Sequence, residues 1–175
     1  MKIISIYVID IELKTCMSKE KLDFLNMFHR SSAKELLREF ALYSAEHLGN
    51  PERKIIEHTD YIFICQRNGP QAIIIVTDKE YPSRVSFEII LNIQKNPTSE
   101  TIQNIIEKRQ DGLDNISRIK STIDETMVIA HENIDKILQR GHDIDELVEK
   151  SQNLSRSSKI FYKTAKKHNS CCVLS

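Results

Sequence analysis

The chain has 175 residues, with 25 basic side chains against 25 acidic ones, 40% hydrophobic residues and 29% charged ones. Zero net charge excludes a general polyanion binder, because neutralising phosphates takes a surplus of Lys and Arg, so no nucleic-acid partner is expected. Gly49, Gly69, Gly112 and Gly141 lie too far apart for a P-loop or a dinucleotide-binding turn, which argues against a nucleotide partner, and no apolar run approaches the ~20 residues that a spanning helix needs.

In chain order, Ile3 to Ile11 is dense in β-branched residues and predicts a first strand, with Asp23 to Phe28 as a second. The opening residues are not read as a secretory signal, because Asp10 and Glu12 follow with no small-residue cleavage site. From Ala33 to Leu48, apolar residues at three- and four-residue spacing predict a helix with Ser31 and Ser32 as N-caps, ended by Asn50-Pro51. Arg53 to Glu57, Tyr61 to Gln66 and Gln71 to Asp78 predict three strands, the last two flanking the hairpin signal Asn68-Gly69, so the β content is expected before residue 80. After Tyr81-Pro82, the residues Val85, Phe87, Ile89, Ile90 and Ile93 give a helix stopped by Asn96-Pro97. Ser99 to Gln110 gives another, and Gly112 marks a join. Strands flanked by helices predict an α+β sandwich of about 100 residues.

From Asn115 to His168 there is no proline and a sustained three-four hydrophobic repeat, which predicts a coiled-coil helix. Its seam runs Ile116, Ile119, Ile123, Thr126, Ala130, Asn133, Ile137, Arg140, Ile144, Leu147, Ser151, Leu154, Ser158, Phe161, Ala165, His168. So narrow a stripe on so polar a helix is unstable alone and needs partner helices or a groove on the N-terminal domain. Arg140 in the middle of the seam calls for hydrogen-bond acceptors on facing helices, since a buried guanidinium is otherwise expensive. The alternative is a helix that ends at Gly141 with Arg140 solvated at its C-terminus.

The chain closes on Cys171-Cys172-Val173-Leu174-Ser175, in which Cys172, two aliphatic residues and a terminal serine form a prenylation signal of the farnesyl class. Farnesylation of Cys172 implies loss of Val173-Leu174-Ser175 and a C-terminal methyl ester, and Cys171 is placed for palmitoylation; prenyl and palmitoyl transferases are then partners. Between Ser151 and Ser170 the only charged residues are Arg156, Lys159, Lys163, Lys166 and Lys167, which would draw this tail to an anionic leaflet. Catalytic readings fail. His131-Glu132 lacks the second histidine of a zinc helix, Cys65 sits in an apolar strand as a core residue, and the four cysteines have no metal-ligand spacing. No catalytic residue, metal or cofactor is expected.

The stretches Ile134 to Gly141, Leu147 to Ser151 and Ser158 to Lys163, with the ending Ala165 to Cys172, resemble the core and tail of prenylated longin-type R-SNAREs, synaptobrevin homologues of the Ykt-six type. Phe28 to Ser32 and Thr77 to Arg84 resemble parts of the longin domain. The resemblance implies a profilin-like longin domain over 1–110, with a five-stranded antiparallel sheet between helices. It further implies a linker at 111–114, a SNARE helix over 115–168 and a lipidation tail at 169–175. It implies fusion of vesicles in secretory, endosomal and vacuolar traffic by zippering with three glutamine-type helices (Qa, Qb, Qc) that meet Arg140. The protein would cycle from the cytoplasm to the cytosolic face of Golgi, endoplasmic reticulum, endosomal or vacuolar membranes through its lipids. A groove on the first helix, formed here by Leu36, Leu37 and Phe40, would receive the folded-back SNARE segment and restrain it. Two other readings stand beside it: a lipidated longin adaptor or tether, and an acyl-transfer protein using the terminal cysteines.

Overall fold

The computed structural model describes residues 2–58, 61–108, 129–133 and 144–171. Strand β1, Ile3–Asp10, turns into β2, Thr15–Glu20, and helix α1, Met27–Glu46, follows. Strands β3, Glu52–His58, β4, Tyr61–Asn68, and β5, Gln71–Asp78, complete an antiparallel set in the order β2-β1-β5-β4-β3. Helices α2, Ser83–Lys95, and α3, Ser99–Lys108, come next; β6, Ile129–Asn133, then adds to the free edge of β3 in parallel, and helices α4, Ile144–Lys150, and α5, Arg156–Cys171, end the chain.

The sheet is buried on both faces, so its central strands read as continuous apolar runs. Along β5, Ala72, Ile74 and Val76 point to the α1 side while Ile73 and Ile75 point to the α2 and α3 side. Along β1, Tyr7 and Ile9 join the first set and Ile6 and Val8 the second, with a register shift near Ile3. These two clusters are the core, and Cys65 lies fully inside the first of them.

The α+β class and the five antiparallel strands are as expected, and three local expectations are corrected. The second strand is Thr15–Glu20 rather than the 23–28 stretch. The Asp10 side chain accepts the Leu13 N–H at 2.8 Å and Lys14 takes a left-handed conformation at φ 52°, which closes a short turn and returns the chain at once along β1. The first helix begins at Met27 instead of Ala33, because Asn26 caps it by accepting the His29 N–H at 3.0 Å. Arg30 ties down the incoming turn through the Leu25 and Asp23 carbonyls, so 23–26 is the approach to a helix. Third, β structure does not end before residue 80, since Ile129–Asn133 is a strand. The hairpin at Asn68-Gly69 is as read, with Gly69 at φ 63° and its N–H donated to Asn50 Oδ1.

The segment expected as one long helix is, in this conformation and among the described residues, strand β6 and helices α4 and α5 with a turn between the helices. The physical cause is competition between surfaces. The edge of β3 offers backbone partners to the stretch that begins at Ile129, and helix α1 offers an apolar floor to residues from 147 onward.

Candidate functional site

Helix α1 lies across one face of the sheet, and its exposed flank is where the C-terminal segment docks. Leu36 and Phe40 are buried at 6% and 7% exposure and Leu37 is half-buried. They share one core with Val148, at 1%, from α4 and with Leu154, at 7%, from the turn after it. Leu147, Phe161 and Tyr162 pack on the rim of the same cluster, and the Phe161 ring stands 5.0 Å from the imidazole of His29. Fully burying an aliphatic side chain is worth about 1.5–3 kcal/mol, so Val148 and Leu154 together hold the segment by several kcal/mol before its ordering is counted.

The polar half of the contact is built on two carboxylates one helical turn apart. Glu39 accepts the Ser151 hydroxyl at 2.6 Å on one oxygen and the Asn153 amide at 3.2 Å on the other. Glu35 accepts the Ser155 N–H at 2.9 Å and the Ser158 hydroxyl at 2.7 Å. Burial pushes the Glu35 carboxyl up, but the hydrogen bonds from Ser158 and Ser155 outweigh it and leave the group below the ordinary carboxylate range. Ser155 is the N-cap of α5, its hydroxyl accepting the Ser158 N–H at 3.3 Å. The break between α4 and α5 is thus capped from within and pinned from α1. At the other end of the segment, Lys54 of β3 is nearly buried and pairs with Glu52 at 3.2 Å and with Glu132 of β6 at 3.5 Å.

A further layer of charge faces solvent between the last two helices. Lys166 pairs with Asp145, Lys163 with Glu149, and the Lys159 ammonium donates to the Glu149 carbonyl at 2.6 Å. The pairing 145 with 166 and 149 with 163 makes α4 and α5 an antiparallel hairpin.

The structure brings Leu36, Leu37 and Phe40 together with Leu147, Ser151, Leu154, Ser158 and Phe161 of the seam. Ala165 is exposed on α5, and Ala130 is half-buried on β6. Asn133 lies in β6, Ile144 opens α4, and His168 and Cys171 lie in the last turns of α5. Ile116, Ile119, Ile123, Thr126, Ile137, Arg140 and Cys172 lie outside the described residues.

Sequence reasoning missed Glu35 and Glu39, because it looked to α1 only for apolar residues. It also missed Val148 and Tyr162, each one residue beyond a seam position. A coiled-coil seam is a narrow stripe, whereas a groove on a globular domain takes a wider face, and that difference recruits the neighbours. Among the described residues there is no cluster of metal-ligating side chains, and no helix is long and apolar enough to cross a membrane. Cys65 is no nucleophile: burial raises its thiol pKa well above the ordinary range.

The structure is thus a mixed α+β domain whose C-terminal segment lies back along its first helix, and comparison with known proteins shows its family. The family model described as Synaptobrevin matches residues 115–173. The synaptobrevin homologue ykt6 of Schizosaccharomyces pombe is 32% identical across 99% of this chain and 100% of its own length. The synaptobrevin homologue YKT6 of Saccharomyces cerevisiae is 34% identical over 84% of each chain, and that of Debaryomyces hansenii is 32% identical over 90% of each. The chain belongs to the synaptobrevin family, among the R-SNAREs of the Ykt6 type. Such proteins act in vesicle fusion, have Q-SNAREs as partners and are not enzymes.

Proposed function

We propose that residues 115–168 zipper with three Q-SNARE helices, one each of the Qa, Qb and Qc kind, and that the N-terminal domain over 1–110 restrains them until those partners arrive. Arg140 is the layer that meets three glutamines, and the positions from Ile116 to His168 are the layers on either side of it. The observation that carries the reading is the double use of one surface: Leu154, Ser158 and Phe161 belong to the seam, yet here they are spent on α1. A segment docked on Leu36 and Phe40 is not available to a four-helix bundle, so docking and zippering exclude each other.

Magnitudes support the order of events. The docked half is held by a few aliphatic contacts and the two carboxylate pins, whereas ten of the sixteen seam positions are apolar and a bundle would bury all ten. At about 1.5–3 kcal/mol for each larger side chain, the eight larger apolar seam positions favour assembly over docking, which among the described residues fully buries only Val148 and Leu154 of this segment's apolar side chains. The linker at 111–114 and the tail at 169–175 complete the organisation. Farnesyl on Cys172, with trimming of Val173 to Ser175 and methylation, and palmitoyl on Cys171, each placed by its transferase, attach the bundle to the cytosolic face of Golgi, endoplasmic reticulum, endosomal or vacuolar membranes.

Mixing the full chain with Qa, Qb and Qc helices tests this. An SDS-resistant four-helix complex that forms with the wild type and is lost on Arg140→Asp supports the reading. If no such complex forms even when the docking is broken by mutation, zippering is refuted.

A further inference from the structure

The basic tail does not stand free in this conformation. Between Ser151 and Ser170 the charged residues are five bases and no acid, yet Lys163 and Lys166 each hold a carboxylate of α4, and Lys159 is turned onto a carbonyl of the same helix. We infer that helix α4 is an electrostatic cover for a membrane-binding tail. Folded back, Asp145 and Glu149 occupy the lysines that would otherwise meet anionic phospholipid, and straightening α4 and α5 into one helix uncovers them. The inference goes beyond the zippering mechanism and rests on one part of it, the reading of the tail as membrane-directed.

The geometry makes the cover conditional on the bend. Asp145 and Lys166 are 21 residues apart in sequence and Glu149 and Lys163 are 14 apart, so in a continuous helix they would be about 32 Å and about 21 Å apart at 1.5 Å per residue. Both spacings exceed twice the ~8 Å Debye length at physiological ionic strength, so a straight helix abolishes both pairs. By contrast, the Glu146–Lys150 pair within α4 is an i,i+4 contact that a straight helix retains. The Asp145 and Glu149 carboxyls are held below the ordinary range by hydrogen bonds from Lys166 and Lys163 respectively, which keeps them ionised as counter-charges.

All four side chains are about half exposed, at 56% and 45% for Lys166 with Asp145 and 59% and 51% for Lys163 with Glu149, so each pair is weak by itself. That suits a cover that must come off. A lysine in contact with a carboxylate presents a dipole to a distant surface rather than a net charge, and surface attraction falls away within a Debye length. Neither Asp145 nor Glu149 is a seam position, so the cover uses side chains that zippering does not need.

The test uses the full chain without lipids and measures its partition onto vesicles of phosphatidylcholine alone and of phosphatidylcholine mixed with phosphatidylserine. The Asp145→Asn/Glu149→Gln variant should bind the anionic vesicles about tenfold more tightly than wild type, show no gain on neutral vesicles and lose the gain at high salt. Glu100→Gln/Glu107→Gln makes the same change in net charge on α3, across the sheet, and should bind as wild type does. Adding Lys163→Ala/Lys166→Ala to the first variant should cancel its gain. No gain from the first variant, an equal gain from the α3 variant, or a gain that survives loss of both lysines overturns the proposal. Failure of the underlying tail reading would look different, with no protein in the series binding anionic vesicles above neutral background, and that also overturns it. Assembly with Q-SNARE helices, measured in parallel, should be retained by every variant.

Discussion

Glu35 carries more of the docking than any apolar residue beside it suggests. Its carboxylate accepts from Ser155 and Ser158, which are 120 and 123 residues away in sequence. Hydrogen bonds to a charged group contribute about 1.5–3 kcal/mol each, and with the partial exposure of Glu35 discounting the pair, Glu35→Ala should weaken docking by about 2–4 kcal/mol, read as faster amide exchange over residues 151–162 and quicker assembly with Q-SNARE helices. The pH dependence follows from the direction of the shift. The folded-state pKa is lowered from 4.5, so this contribution is complete above about pH 4.5 and is lost as pH falls through the depressed value. Exchange protection of 151–162 should therefore be flat from neutrality down to that point and drop below it, and the drop should be smaller in Glu35→Gln, the remainder coming from Asp145 and Glu149, whose carboxyls are lowered by Lys166 and Lys163. Lys54 and Glu132 make the corresponding pin at β6. Lys54→Glu should release residues 129–133 from the edge of β3, measured as lost exchange protection there, and adding Glu132→Lys should restore it. None of these roles was legible in the sequence, because a glutamate on a helix face looks solvated until the chain segment that meets it is known.

At the scale of elements, local chemistry named most of the units and tertiary contact set their ends. The strands at 53–57, 61–66 and 71–78 were legible from β-branched density and the Asn-Gly turn, and the structure extends the first two by one or two residues and keeps the third as expected. Helix α2 was legible from its buried face of Val85, Phe87, Ile89, Ile90 and Ile93. The second strand was hidden because Thr15–Glu20 has little apolar content and is held by pairing with β1. Strand β6 was hidden because its residues also satisfy a coiled-coil repeat. Helix α4 shows how one element serves two surfaces, since it turns Val148 into the groove although the seam runs through Leu147. Val148→Ser should cost docking about 2–3 kcal/mol and speed assembly with Q-SNARE helices, while the melting temperature of the finished four-helix complex stays at the wild-type value. A matching loss of stability in that complex would mean that Val148 is a layer residue after all.

For the whole molecule, the even balance of 25 bases and 25 acids conceals an arrangement in which acidic α4 lies against basic α5. On the proposed reading, membrane attachment is a property of the tail and of the conformation together. Cys172→Ser should leave the protein in the soluble fraction of cells. Cys171→Ser should leave it exchanging between soluble and membrane fractions, since one isoprenoid binds reversibly and a second chain is needed for stable anchoring. The sequence by itself carried the two features that need no partner to be read: the proposed seam with Arg140 at its centre, which is a periodicity, and the double cysteine with its aliphatic ending, which is read as a lipidation signal. It also determined the α+β class, through strand density and turn residues. Only the tertiary structure decided that part of the seam lies on α1, that Ile129–Asn133 pairs with β3, and that Glu35, Glu39, Asp145 and Glu149 are contact residues. The physical reason is that an amphipathic segment carries no conformation of its own. It takes strand, bent hairpin or straight helix according to which surface buries its apolar face, and these outcomes differ by a few kcal/mol that are made by residues far away in the chain.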